Sequence, residues 1–215
     1  MRQIEAVNDF VIKFANVNGS GSASANTLFA KAILRLGVPV AARNIFPSNI
    51  QGLPTWYEVR ITEAGWRGRR GGVDLMVAMN PQTWDKDVAE VEAGGYLFYD
   101  STKPMPASKF RDDILVIGMP LQEICNQAYS DPRQRQLFKN IIYVGALATL
   151  LGIDLKEVEG LIGEQYKGKE KLLDSNVKAL HMGADYAVAN LPPIGLKVRR
   201  SDKVGKRVFL EGNSA

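Results

Sequence analysis

Phe10-Val-Ile-Lys-Phe-Ala-Asn-Val17, followed at once by Asn18-Gly-Ser-Gly-Ser-Ala-Ser-Ala25, decides the fold class. The first stretch is apolar nearly throughout and rich in branched and aromatic side chains, which suits a strand buried on both faces, as in a parallel sheet. The second is a loop of small residues. After it, Asn26 to Leu36 reads as a helix, because Leu28, Phe29, Ala32, Ile33 and Leu36 form one apolar stripe at helical spacing and Gly37 is a natural stop. Val38-Pro-Val-Ala-Ala42 is the next expected strand. Strand, glycine loop, helix, strand is the opening of a doubly wound α/β domain.

Working outward, Phe46-Pro-Ser-Asn-Ile-Gln-Gly-Leu-Pro54 reads as a loop. Thr55 to Thr62 alternates and predicts a half-exposed strand, antiparallel or near an edge. Gly65-Trp-Arg-Gly-Arg-Arg-Gly-Gly72 is a basic turn, and Val73 to Met79 an apolar strand. Pro81 to Ala93 predicts a short helix stopped by Gly94-Gly95. Tyr96–Tyr99 and Ile114–Ile117 predict two more strands. Helices are expected over Leu121–Tyr129, Pro132–Leu151, Leu155–Tyr166 and Glu170–Ala189. The third-last of these has the clearest ends, with Asp131 as N-cap, Pro132 at the first position and Gly152 past the end. The expected architecture is a three-layer α/β/α domain, Rossmann-like, with a mostly parallel, partly mixed central sheet and a helical C-terminal part.

The 215 residues suffice for a sizeable core, and 46% hydrophobic with 23% charged residues is ordinary for a globular protein. The formal charge of +4 is local. Lys197 to Arg207 holds six basic residues and one acid, leaving 21 basic against 22 acidic residues elsewhere. A domain-wide nucleic-acid footprint is therefore not expected. No run of 18 apolar residues suggests a membrane span, and the N-terminus has no signal-peptide core. The default location is a reducing cytoplasm. One cysteine, Cys125, and one histidine, His181, leave no material for a disulfide, an iron–sulfur cluster or a His-rich metal site.

Two loops could hold a ligand. Gly19 and Gly21 would let an anion approach backbone N–H groups at a helix start, with Ser20, Ser22 and Ser24 adding hydroxyls. The dinucleotide fingerprint needs a third glycine where Ser24 stands, and no Gly-Lys-Ser/Thr follows. A purely structural turn is the competing reading. Ser48, Asn49, Gln51 and Gly52 lie in the loop after the second strand, on the usual ligand rim of such sheets, and could equally dock a neighbouring domain. His181 reads as a surface or packed residue, Cys125 as a buried thiol, and Glu58 with Arg60 as a solvated pair. Asp85, Asp87, Glu90 and Glu92 read as an acidic helix surface. No nucleophile–base pair stands out, so the domain binds or holds without a catalytic residue of its own.

Three segments in combination carry a resemblance: the strand–Asn18-to-Asn26–helix unit, Phe46-Pro-Ser-Asn-Ile-Gln-Gly-Leu-Pro-Thr-Trp56, and Val73-Asp-Leu-Met-Val-Ala-Met-Asn-Pro-Gln82. Together they resemble the gamma domain of 2-oxoacid:ferredoxin oxidoreductases, in the form fused N-terminally to the alpha subunit, as in 2-oxoglutarate-type enzymes. Asn140 to Gly152 resembles the family's late helix, and Phe209 to Ala215 the opening of the alpha subunit's pyrimidine-type domain. The resemblance implies a gamma-type domain over 1–191, a Pro-then-basic linker over 192–207, and the start of an alpha domain over 208–215. It implies oxidative decarboxylation of a 2-oxoacid with coenzyme A, electrons passing to ferredoxin.

Thiamine diphosphate, magnesium and iron–sulfur clusters would then sit in partner parts: the rest of the alpha subunit and a beta subunit. Coenzyme A is the one ligand this domain would help to bind, along Asn18–Ser24 and Ser48–Gly52. Many family members carry Gly-x-Gly-Gly-Gln-Gly at the first loop; here Ser22 and Ala23 replace the Gly-Gln pair. The rival expectation is a stand-alone doubly wound module for a nucleotide or flavin. Neither reading calls for nucleic acid or a membrane.

Overall fold

The computed structural model describes residues 2–17, 19–46, 54–203 and 205. Its centre is a six-stranded sheet. In chain order the strands are β2 (Asp9–Val17), β3 (Val40–Ile45), β4 (Pro54–Thr62), β5 (Val73–Ala78), β6 (Val91–Asp100) and β7 (Leu115–Met119). They lie side by side as β3-β4-β2-β5-β6-β7. Only β4 runs against the others, paired antiparallel with β2 and β3. A two-residue strand β1 (Ala6–Val7) pairs with β8 (Leu196–Lys197) in a separate small sheet.

One face of the sheet carries Phe10, Ile12 and Phe14 of β2, Tyr57, Val59 and Ile61 of β4, and Tyr96 and Phe98 of β6. These are buried beneath α1 (Ser22–Arg35), α3 (Leu121–Ala128) and α4 (Pro132–Leu151), with α5 (Leu155–Gln165) against α1 and α6 (Glu170–Asn190) against α4. The other face packs Met76, Ala78 and Leu97 beneath the short α2 (Trp84–Glu90). Helices on both faces of a mainly parallel sheet give the expected α/β class.

Helix α4 spans the expected residues. Asp131 accepts from the Arg133 N–H at 2.8 Å, Pro132 opens the helix, and Gly152 closes it at φ +74°. Where α4 crosses α6, Gly145 lies against the Leu180 carbonyl and Gly183 against the Ile142 carbonyl, so the two backbones touch. Helix α1 begins at Ser22, four residues before the expected Asn26. Gly21 turns the chain at φ +78°, and Ala25 and Asn26 are already buried within the helix.

Three expectations are corrected. Gly94-Gly95 does not stop a helix; α2 ends at Glu90 and the glycines lie inside β6. There the β5–β6 register shifts between Val73 and Leu75, a bulge that Gly94 at φ +80° makes possible. Strand β4 is not half-exposed: residues 56–62 are buried, with Tyr57, Val59 and Ile61 in the core under the helices, Trp56 in the cluster beneath α2 and Glu58 held by Arg69 of the 65–72 turn. Glu58 and Arg60 are accordingly no solvated pair. Glu58 is held by Arg69 at 2.9 and 2.7 Å and Arg60 by Asp9 at 2.7 Å.

The described part of the stretch after Pro192-Pro193 packs on the domain. Ile194, Leu196 and Val198 are buried. The Val198 N–H donates to Leu151 O at 2.7 Å and the Ser201 N–H to Leu36 O at 2.8 Å. Lys197 Nζ donates to Leu150 O at 2.7 Å. This strap therefore satisfies carbonyls left open at the C-terminal ends of α1 and α4. Asn8, at φ +54°, clamps Arg199 at two points: Nδ2 donates to its carbonyl at 2.9 Å and Oδ1 accepts from its N–H at 2.8 Å.

Candidate functional site

The chain leaves β2 through α1 toward β3 on one side, and leaves β5 through α2 toward β6 on the other. The two connections thus depart in opposite directions from the paired C-terminal ends of β2 and β5, and this reversal opens a crevice where ligands of doubly wound sheets bind. The crevice measures about 460 Å³ and is lined by Asn16, Val17 and Ser20 at the end of β2, Met79 after β5, Gln122 of α3, and Arg135, Gln136, Lys139 and Asn140 of α4. A second lobe of about 420 Å³ adjoins it, sharing Met79, Gln122 and Lys139. Its walls are Trp84, Tyr99 and Met105, with Asp100, Thr102 and Lys103 at the rim.

Lys139 stands where the lobes meet. Its ammonium lies 3.4 Å from Asp100 Oδ2 and 3.2 Å from Gln122 Oε1. Asp100 Oδ1 accepts from the Thr102 N–H at 3.1 Å, the Thr102 hydroxyl at 2.6 Å and the Gln122 N–H at 3.3 Å, so that carboxylate is fixed. Arg135 donates to the carbonyls of Tyr129 and Ser130 at 2.7 and 3.2 Å. Two cations one helical turn apart thus face a polar lobe beside an aromatic one. Trp84 meets Tyr99 edge to face, with ring centroids 5.4 Å apart.

The glycine loop reaches this crevice in part. Ser20 lines it, and its carbonyl accepts from Asn140 Nδ2 at 2.8 Å, tying the loop to α4. Ser20 Oγ donates to Ser22 Oγ at 3.0 Å. Gly19 and Gly21 both adopt positive φ, and a side chain at Gly21 would press on Leu137. Ser22 is buried in α1, and Ser24 faces a depression between α1 and α5 rather than the crevice. Ser48, Asn49, Gln51 and Gly52 lie outside the described residues, as does Asn18.

Residues 16, 79, 100, 122, 135 and 139 meet here although none was singled out from the sequence. One signal was present: Arg135 and Lys139 are four apart on a helix whose ends were legible, which places both on one side of it.

The remaining candidates lie elsewhere. Cys125 is in the core, and burial pushes its thiol up to about 11. His181 Nε2 is 2.8 Å from Glu159 Oε1 on the exposed side of α6. The acidic segment is a solvated surface only in part: Asp85 and Glu92 are exposed, but Asp87 is fully buried, accepting from Trp56 Nε1 at 2.7 Å and Thr83 Oγ1 at 2.5 Å, and Glu90 pairs with Lys13. Burial raises the Asp87 carboxyl above its ordinary range, against those two donors. Among the described residues no group of three or more His, Cys, Asp or Glu could hold a metal ion, and no helix is long and apolar enough to cross a membrane.

Comparison with known proteins gives a consistent result. The family model described as pyruvate ferredoxin/flavodoxin oxidoreductase matches residues 11–186. The alpha subunit of 2-oxoacid:ferredoxin oxidoreductase 2 from Aeropyrum pernix is 23% identical, over 83% of this chain and 34% of that protein. In fold, the chain is similar to a 2-oxoglutarate:ferredoxin oxidoreductase from Magnetococcus marinus, solved with 2-oxoglutarate, coenzyme A and succinyl-CoA bound. The TM-score is 0.83 at 21% identity, over 96% of this chain and 36% of that one. It is also similar to a keto/oxoacid ferredoxin oxidoreductase gamma subunit from Geobacter sulfurreducens, with a TM-score of 0.66 at 22% identity, over 84% of this chain and 99% of that one. The chain spans about a third of the length of the alpha-type relative.

Proposed function

The chain belongs to the pyruvate ferredoxin/flavodoxin oxidoreductase family, and on that premise we propose that it is the gamma-type component of a 2-oxoacid:ferredoxin oxidoreductase. In this reading residues 1–191 form the gamma-type domain, residues 192–207 connect it onward, and residues 208–215 open an alpha-type domain. The partners are an alpha-type companion, a thiamine diphosphate-binding beta subunit and a ferredoxin-type acceptor, in the cytoplasm. The reaction is oxidative decarboxylation of a 2-oxoacid, 2-oxoglutarate first among the candidates, with coenzyme A to give an acyl-CoA. Thiamine diphosphate, magnesium and iron–sulfur clusters supply that chemistry from the partner parts.

What this chain contributes is assembly and part of the coenzyme A site. The observation that carries the proposal is the two-lobed crevice at the C-terminal ends of β2 and β5, where the chain connections reverse direction. Lys139 and Arg135 suit phosphate oxygens, since charge-assisted contacts to phosphate are the strong ones. Trp84, Tyr99 and Met105 offer an apolar, aromatic wall for the adenine ring. Ser20, on the glycine loop, lies at the rim where partner walls would complete the site. The family's Gln is absent from that loop, and Lys139 on α4 takes over as the principal anchor.

Calorimetry on the 215-residue chain with coenzyme A, NAD and FMN tests this against a stand-alone nucleotide or flavin module. Weak coenzyme A binding is expected, because the walls are incomplete. Tight binding of NAD or FMN would sink the proposal.

A further inference from the structure

Resting on the gamma-type role above, we propose that Trp66, with the arginine turn that carries it, is the surface on which the alpha-type companion docks. The turn of residues 65–72 joins β4 to β5 across the outer face of the sheet. It is pinned at three points: Arg69 on Glu58, Arg70 on Asp74, and the Arg43 guanidinium on the Arg67 carbonyl at 2.8 Å. Glu58 and Asp74 are themselves buried. A turn with four glycines is thereby fixed, and it holds the Trp66 ring outward, 70% exposed. The other two tryptophans are 6% and 5% exposed.

A fixed, exposed indole flanked by guanidinium groups is the pairing that dominates the centres of protein interfaces. Because the turn is already ordered, docking on it costs little conformational entropy.

The course of the chain says which partner. At the end of its described part the strap meets Glu63, which accepts from Ser201 Oγ at 3.1 Å and Lys203 Nζ at 3.0 Å. Glu63 is three residues before Trp66. Residues 201–203 of the strap therefore lie beside the turn, and in the gamma-type reading the alpha-type companion follows that strap. About two thirds of the alpha-type relative has no counterpart in this chain, so a companion of that size has to pack on some part of it. None of the turn's anchors, Glu58, Asp74 and Arg43, lines either lobe of the crevice. Docking and coenzyme A contacts are thus separable.

The test is hydroxyl-radical footprinting of the assembled enzyme, read by mass spectrometry. The proposal expects Trp66 to be oxidised as slowly as Trp56 and Trp84, which serve as internal controls. Trp66→Ser is expected to speed protease cleavage of the connection after Lys203 about tenfold, leaving the KM for coenzyme A unchanged. Rapid oxidation of Trp66 in an enzyme that is assembled and active would overturn this surface alone. Protection of Trp66 only by a second copy of this chain would overturn it too. Failure of the wild-type chain to join any companion would overturn the gamma-type role, and this proposal with it.

Discussion

Lys139 of α4 and Asp100 at the end of β6 meet where the two lobes of the crevice join, ammonium to carboxylate at 3.4 Å. The pair is loose on one side only. Asp100 is fixed through its other oxygen by Thr102 and Gln122, whereas among the described residues Lys139 has this contact and Gln122 at 3.2 Å. An arriving phosphate can draw the ammonium away without disturbing the fold around Asp100.

Lys139→Ala should therefore weaken coenzyme A binding and spare the chemistry. Losing one charge-assisted hydrogen bond costs about 1.5–3 kcal/mol, or roughly 10- to 100-fold in KM for coenzyme A. Steady-state kinetics of the assembled enzyme should show that rise with kcat little changed. An unaltered KM would remove Lys139 from the site.

Gly183→Ala should destabilise the chain without touching the crevice. A methyl at Gly183 would sit on the Ile142 carbonyl of α4, and the two helices would have to part. Forced overpacking of this kind costs about 1–3 kcal/mol. Thermal unfolding should fall by several degrees. An unchanged Tm would mean that the α4–α6 contact is looser than described.

These consequences differ in how far the sequence announced them. Helix α4 was legible to the residue because Asp131, Pro132 and Gly152 are local signals that act within one turn. Strand β2 was legible because a strand buried on both faces must be apolar nearly throughout. Gly94-Gly95 misled because a glycine pair signals a helix stop and a bulge equally well, and only the neighbouring strand decides. Glu58, Arg60 and Asp87 misled because whether a charge on a strand or helix is solvated depends on what folds over it. The crevice was hidden for the same reason: Asn16, Met79, Asp100, Gln122 and Lys139 are far apart in the chain, and the topology alone brings them together. Trp66 could be noticed in a basic turn, but its outward fixing depends on the carboxylates beneath.

Asp87 predicts a pH dependence with a definite sign. Burial raises its carboxyl in the folded state. The folded protein then holds this proton more tightly than the unfolded chain, so the group's contribution is fully present below the unfolded carboxylate range near 3.9 and is lost as pH rises through the raised folded value. Asp87→Asn abolishes that loss and can still accept from Trp56. Relative to wild type, the variant should gain stability between about pH 4 and pH 8, read by urea unfolding at both. A difference that stays constant would show that Asp87 is not raised.

Cys125 should be inert while the chain is folded. The thiolate is the reactive form, and burial pushes this thiol up to about 11. At pH 8 a thiol reagent should label it only at the rate of unfolding. Prompt labelling of the native protein would contradict its buried placement.

The gamma-type role is tested most directly by reconstitution. The thiamine-dependent companion subunits are assayed for 2-oxoacid-dependent electron transfer to ferredoxin, across a range of coenzyme A concentrations, with and without this chain. The account predicts that adding the chain restores a stable complex and lowers the KM for coenzyme A at least tenfold. Equal kcat and equal KM in its absence would contradict it.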